Sequence, residues 1–302
     1  MIARVTTQTQ MRAAQSSLQT NLARMAQLQE RASSLKTIER PSDDPAKAAD
    51  SLAVRTEQRA VAQYSRNADN GTGWLNTVDS TLASTTDLLN QVRDLTVQGA
   101  NTGTLSATAK EAIAVQLEGL GRDLLSRANT TYLGRSIFAG NSDAGVAFKP
   151  DPITGIQTFT GTAGTGVLRR VGPDATVKVD ADGAAIFGAN ATNTSSVFDL
   201  VTGIANDLRS GTNIGSRLTE IDARMKSVLG AHADVGVRQG QIERAGEALV
   251  QQKGSLEAQR SGIEDADLAQ VVLDLKLQEV TYQSSLAVTA KVLQPTLMDF
   301  LR

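Results

Sequence analysis

Residues 221–256 read IDARMKSVLGAHADVGVRQGQIERAGEALVQQKGSL, and within them Ile221, Val228, Val235, Ile242, Leu249 and Leu256 stand seven apart without a break. An apolar residue every seven positions keeps one seam of an α-helix turned toward a partner helix. The stretch therefore predicts a long helix, from about 214 to 259, with helical neighbours. Working outward, both chain ends carry helical stripes while the middle reads as β structure. A chain that leaves a helical bundle, visits a small β module and returns brings its two ends together.

On the N-terminal side, Met11, Ala14, Leu18, Leu22, Met25, Leu28, Ala32 and Leu35 recur at three- and four-residue steps, which predicts an amphipathic helix over about 8–38. Pro41-Ser42-Asp43-Asp44-Pro45 ends it, because a proline biases the residue before it away from helical backbone. A new helix is expected to start there at once, with Asp44 as its cap and Pro45 at the first helical position. It runs to about 100 through Leu75, Val78, Leu82, Thr85, Leu89 and Val92, with Gly71 and Gly73 each weakening it by about 1 kcal/mol. A turn from Gly99 to Gly103 follows. Ser106 then caps a helix carrying Ile113, Leu117, Leu120 and Leu124, which stops near Asn129.

Between about 132 and 196, glycines separate short Val, Ile, Phe and Thr runs. Residues 156–160, 167–171 and 176–179 are expected as strands and Asp182-Gly183 as a hairpin turn. Helix returns at 197–208. The last segment opens on Ser261 and Glu264, which have capping-box spacing, and continues through Leu268, Val272, Leu275, Tyr282, Leu286, Leu293 and Leu297. The expected architecture is mainly α, a discontinuous coiled coil and long-helix bundle built from both ends around a small central β domain.

Charge favours pairing of the ends. Residues 1–40 hold Arg4, Arg12, Arg24, Arg31, Lys36 and Arg40 against Glu30 and Glu39, whereas residues 261–302 carry an acidic excess led by Glu264, Asp265 and Asp267. Exposed pairs contribute only about 0–1 kcal/mol each, so the gain would be register. A two-helix hairpin cannot cover both apolar stripes completely. Leu18, Leu22, Met25 and Leu28 at one end, and Leu268, Leu275, Tyr282, Leu286, Leu293 and Leu297 at the other, are therefore expected to meet neighbouring subunits, with both ends ordering on assembly.

Composition excludes several functions. Net charge is −2 at pH 7, with no basic footprint for nucleic acid. Aromatic residues make up 3% and cysteine is absent, so compact aromatic cores, disulfides and thiolate metal sites are not expected. No stretch approaches the roughly 20 apolar residues of a membrane span, and the first residues lack the apolar core of a secretory signal.

Catalytic candidates have structural readings. His232 is the only histidine, so no histidine cluster can hold a metal within one chain. It shares a heptad position with Leu218 and Met225 and reads as a half-buried helix residue. Asp43 and Asp44 suit a helix start better than acid–base work. Gly161-Thr162-Ala163-Gly164-Thr165-Gly166 lacks the lysine of a phosphate loop and does not lead from strand into helix. Glu264, Asp265 and Asp267 favour a helix N-terminus without any cation. The sequons at Asn129, Asn190 and Asn193 are expected by chance in a Thr-rich chain. No cofactor or metal is expected.

Four segments carry a family resemblance: Pro41-Ser42-Asp43-Asp44-Pro45, residues 91–101 (QVRDLTVQGAN), residues 134–140 (GRSIFAG), and Ile263-Glu264-Asp265-Ala266-Asp267 with the terminal Phe300-Leu301-Arg302. They resemble the flagellin superfamily. The Pro-bounded acidic motif and the Ile-Phe-Ala-Gly segment are more similar to its hook-associated protein 3 family, the hook-filament junction proteins, than to flagellins. One departure is Ser33-Ser34-Leu35-Lys36, where the family commonly has glycine after the serines.

The resemblance implies a terminal coiled-coil domain (1–40 and 262–302), a helical-bundle domain (41–131 and 197–261) and a central β-rich domain (132–196). Pro41, Asp43, Asp44, Pro45, Glu264, Asp265 and Asp267 fall at the junction of the first two. It also implies a structural, non-enzymatic role in the bacterial flagellum, outside the cell, after export through the flagellar type III apparatus without a cleaved signal peptide. The implied partners are other copies in a ring, another hook-associated protein, flagellin and, before export, a cytosolic chaperone. A bulk flagellin is the nearest alternative. A signalling helical hairpin is the alternative from another class, although its membrane span is missing and a β module occupies its expected tip.

Overall fold

The computed structural model describes residues 7–101, 106–188 and 195–293. Two compact units emerge, one of Met1–Arg59 with Lys253–Arg302 and the other of Ala60–Gln252. The described helices are α1 (Thr7–Ser34), α2 (Pro45–Ala100), α3 (Ala107–Ala128), the short α4 (Gly183–Phe187), α5 (Val197–Ser210), α6 (Arg217–Glu264) and α7 (Leu268–Leu293). Strands β1 (Thr131–Tyr132), β2 (Arg135–Ser136), β3 (Phe148–Pro150), β4 (Gln157–Phe159), β5 (Leu168–Arg170) and β6 (Thr176–Lys178) lie between α3 and α4. This is the mainly helical fold with a small central β region that the periodicity implies.

In the larger unit the seam of α6 is fully used: Ile221, Val228, Val235 and Ile242 are each at most 2% exposed. It runs antiparallel to α2, as Arg93 pairs with Asp222, Asp79 with His232 and Asn76 with Gln239. Leu75, Val78, Leu82, Leu89 and Val92 of α2 are buried. Thr85, the polar member of that stripe, is also buried and donates its hydroxyl to Thr81 O at 2.8 Å, so no polar group is stranded. His232 is indeed a half-buried helix residue; its Nε2 stands 2.7 Å from Asp79 Oδ1.

Gly71 and Gly73 do not interrupt α2. A Cβ at Gly71 would stand 2.7 Å from Ile242 Cδ1, and one at Gly73 2.2 Å from the Tyr132 hydroxyl. Close packing, not a bend, explains both residues.

The middle of the chain forms three antiparallel two-stranded ladders, β1-β2, β3-β4 and β5-β6. The last two use the expected runs; β1-β2 and β3 were not foreseen, being too short for an alternation to show. Asp182-Gly183 is not a hairpin turn: Asp182 Oδ1 accepts from the Ala184 and Ala185 amides and starts α4. An aromatic core exists despite the composition. Phe148 lies 5.1–5.8 Å from Phe159, Phe187 and Phe198, and Phe138 packs edge-on against Phe187. Five of six phenylalanines are gathered in one place, which a global percentage cannot reveal. Asn129 spends its side chain closing this module, accepting from the Ala147 and Phe148 amides and donating to Phe148 O. Asn190 and Asn193 lie outside the described residues.

Candidate assembly interface

The smaller unit is built on an antiparallel hairpin of α1 and α7. Partial burial recurs at Met11, Ala14, Leu18, Asn21, Met25 and Leu28 on α1, and at Val271, Leu275, Gln278, Tyr282 and Ser285 on α7. Those are the three- and four-residue steps of one helical face. Asn21 holds the register: its Nδ2 donates to Ser285 Oγ at 2.9 Å, and Gln278 Nε2 donates to Asn21 O at 3.1 Å. Among the described residues no ion pair joins the two helices, so the opposite charges of the ends act at most over longer range.

The hairpin divides the expected interface residues. Leu18, Met25, Leu28, Leu275 and Tyr282 are half-buried on the shared face. Leu22 (49%), Leu268 (52%) and Leu286 (44%) lie at its edge and are largely exposed. The side chain of Leu293, and Leu297 altogether, lie outside the described residues.

A second apolar face was missed. Leu273, Leu277, Val280 and Val288 are 60–68% exposed; at 100° per residue the first three sit opposite the face that meets α1, and Val288 lies on the flank beside Leu277. The four- and three-residue steps of 273, 277 and 280 carry that signal, but the first stripe masks it. On α1, Leu22 is the one large apolar side chain exposed among the described residues. α7 is thus apolar on two faces, and its own hairpin covers only one of them.

The base of the hairpin is a tight knot. Asp44 Oδ1 accepts from the Lys47 amide and caps α2, with Pro45 as its first residue, as expected. Asp43 Oδ2 accepts from the Arg40 and Glu39 amides, which holds its carboxyl below the usual range. Asp267 Oδ1 caps α7 through the Ala269 amide. Ser261 and Glu264, however, do not form a capping box. They belong to the last turn of α6, which runs on to Glu264, because Glu264 has a stronger partner.

That partner is Arg55. Glu264 is 5% exposed, and its carboxylate accepts from Arg55 Nε at 2.7 Å, from Arg55 Nη2 at 2.9 Å and from Ser51 Oγ at 2.5 Å. The Arg55 hydrogen bonds, ahead of the burial that opposes them, hold the Glu264 carboxyl down to about 2. The Glu264 carbonyl also accepts from the Thr37 amide at 2.7 Å, and the Ala266 amide donates to Leu35 O at 2.9 Å. Leu35 itself has φ +56, the left-handed conformation that ends many helices and favours glycine. The knot contains no cluster that could hold a metal, and no group of three or more ligating side chains occurs among the described residues.

Comparison with known proteins agrees with this architecture. Residues 5–143 match the bacterial flagellin N-terminal helical region, and residues 218–301 match the bacterial flagellin C-terminal helical region. The chain belongs to the flagellin family. Flagellin of Bacillus subtilis (strain 168) is 28% identical over 279 residues, covering 88% of each chain. The flagellar filament 30.7 kDa core protein of Treponema maltophilum is 26% identical over 87% of this chain and 86% of its own. Among solved structures, a putative flagellar hook-associated protein from Vibrio parahaemolyticus superposes with a TM-score of 0.67 at 20% identity, over 74% of this chain and all of that one. Hook-associated protein 3 from Legionella pneumophila superposes with a TM-score of 0.64 at 14% identity, over 70% of this chain and 98% of that one. The flagellin-family chain thus shares its fold with hook-associated proteins. Among the described residues no helix is long and apolar enough to cross a membrane.

Proposed function

We propose that this chain is a structural subunit of the bacterial flagellum that forms the junction between hook and filament. The observation that carries the subunit reading is α7, whose second apolar face, Leu273, Leu277, Val280 and Val288, has no partner within its own hairpin. Its work is mechanical and involves no turnover. Copies of the chain form a ring layer, with another hook-associated protein on one side and flagellin on the other. We take the hairpin as a terminal coiled-coil domain (1–40 and 262–302) for stacking, residues 41–131 and 197–261 as a bundle domain for lateral contacts, and 132–196 as an outward β-rich domain.

The junction position draws support from the fold shared with hook-associated proteins and from the Pro41-Ser42-Asp43-Asp44-Pro45 motif. Export proceeds through the flagellar type III apparatus, with a cytosolic chaperone guarding α7 beforehand. A second reading, a bulk filament subunit, is favoured by the flagellins at 26–28% identity. Immunogold labelling of intact flagella separates the two. Label at one point between hook and filament is expected, and uniform decoration of the filament would overturn the junction assignment in favour of the second reading.

A further inference from the structure

The two-residue turn between β1 and β2 presents a leucine where sterics argue against one. Thr131 pairs with Ser136 and Tyr132 with Arg135, leaving Leu133 (φ +49) and Gly134 (φ +78) as the turn. Turns with both central residues at positive φ favour Asn, Asp or Gly. Leu133 is nevertheless 75% exposed, so no contact within its own chain accounts for an apolar residue there. Arg135 stands beside it, partly exposed and leaning on Asn141 Oδ1 at 3.2 Å.

In the same unit, a groove of about 420 Å³ runs between α2 and α3. Leu95, Leu120 and Gly119 supply its apolar and small-residue lining, and Asp94 and Asp123 stand at its sides. Gly119 lies within a 22-residue helix, where glycine is unfavourable. A Cβ built on it would meet nothing within 4 Å. Packing inside this chain does not require the glycine, and its effect is to deepen the groove. Among the described residues neither Asp94 nor Asp123 pairs with a cation.

We propose that the Leu133 turn of one copy seats in the α2–α3 groove of a second copy, Leu133 over Gly119 and Arg135 against Asp94 or Asp123. The proposal rests on reading the chain as a subunit that meets its own copies. Charge selects the occupant. A second apolar turn residue, Ile153, is 93% exposed but is flanked by Asp151, whose charge the two groove aspartates would repel. Knob and groove are different surfaces, so the contact is heterologous and propagates from copy to copy, as a ring or a filament requires.

Two substitutions separate this role from a structural one. Leu133→Asn relieves the turn and Gly119→Leu improves the helix while filling the groove, so each should leave the isolated full chain as stable as before or more so. Each is expected to lower assembly at least tenfold in a deletion strain carrying the variant gene. Arg135→Asp and Asp123→Arg should each weaken assembly, and together restore it. The chain has no cysteine, so a Leu133→Cys/Gly119→Cys chain can be oxidised in isolated flagella and probed for disulfide-linked oligomers that neither single variant forms.

Oligomers from the double variant alone, with loss of assembly for Leu133→Asn, are the expected results. Monomer only after oxidation, or wild-type assembly of Leu133→Asn and Gly119→Leu, overturns the contact. Immunogold on the same preparations keeps the two readings apart. Label at the hook–filament boundary without cross-links sinks the contact alone, whereas cross-links with label elsewhere sink the location alone.

Discussion

Changing Leu277 to Asp isolates the outer face of α7 from the inner one. Leu277 is 68% exposed in the hairpin, and Leu273, Val280 and Val288 are 60–65% exposed. Complete burial of such a side chain is worth about 1.5–3 kcal/mol; with two-thirds of that still to be gained, each residue offers about 1–2 kcal/mol to a neighbouring subunit. The four together offer about 4–8 kcal/mol per subunit before ordering costs. Aspartate at 277 removes one of these shares and forces a carboxylate out of water, which costs several kcal/mol more. A combined loss of about 4 kcal/mol corresponds to roughly a thousandfold weaker association, at about 1.4 kcal/mol per tenfold.

The isolated chain should scarcely notice, since at an exposed helix site the exchange costs about 0.5 kcal/mol of helix propensity. Leu275→Asp is the counterpart on the face shared with α1, and it should open the hairpin itself. Amide exchange on the purified full-length variants reads the hairpin, and swimming halos with electron microscopy of the complemented deletion strain read assembly. Leu277→Asp should preserve wild-type exchange across α1 and α7 yet leave cells unable to swim. Normal motility in that variant would refute the claim that the outer face is covered by neighbours.

Three further outcomes are expected. Leu35→Gly removes a left-handed leucine (φ +56) and should stabilise the hairpin base by about 1 kcal/mol, read as a higher urea midpoint. Because Glu264 is held down to about 2 from 4.5, its contribution is complete above about pH 4.5 and disappears as pH falls toward 2; allowing for Arg55, whose side chain is 44% exposed, it amounts to about 1–2 kcal/mol. Glu264→Gln should cost about that much at pH 7 and flatten the acid limb of the stability profile. Gly73→Ala, although alanine is the better helix former by about 1 kcal/mol, should destabilise the larger unit by about 1–2 kcal/mol, since its Cβ would sit 2.2 Å from the Tyr132 hydroxyl; a higher Tm would contradict this.

Long helices were legible because their signal is periodic and repeated. Ile221 to Leu256 announces α6, and Leu75 to Val92 announces the later part of α2, and every one of those positions is buried. The helix starts at Ser106 and Asp44 were legible too, because a cap is a local event. Glu264 was not: its spacing from Ser261 suggests a cap, yet a residue 209 positions away in the chain, Arg55, claims its carboxylate. The β1-β2 turn escaped because Leu133 contradicts the usual turn chemistry. The second apolar face of α7 escaped for the opposite reason: the helix has many apolar positions, and the stripe through Leu268, Leu275, Tyr282 and Leu286 masks the one through Leu273, Leu277 and Val280.

The unequal faces of α1 and α7 carry consequences for how copies can pack. Around α1 the outward positions are largely Arg, Gln, Ser and Thr, with Leu22 the exposed large apolar residue, whereas α7 exposes Leu268, Val272, Leu273, Leu277, Val280, Leu286 and Val288. Burial is favourable in proportion to the apolar area removed from water, so any closed stack of these hairpins lowers its free energy most with α7 toward the shared interior and α1 toward solvent. The reverse arrangement would bury the guanidinium groups of Arg12 and Arg24 and leave the leucines wet. A single hairpin that pairs a helix apolar on one face with a helix apolar on two would therefore favour one side of such a stack as its inside, before any residue of the β-rich middle is considered.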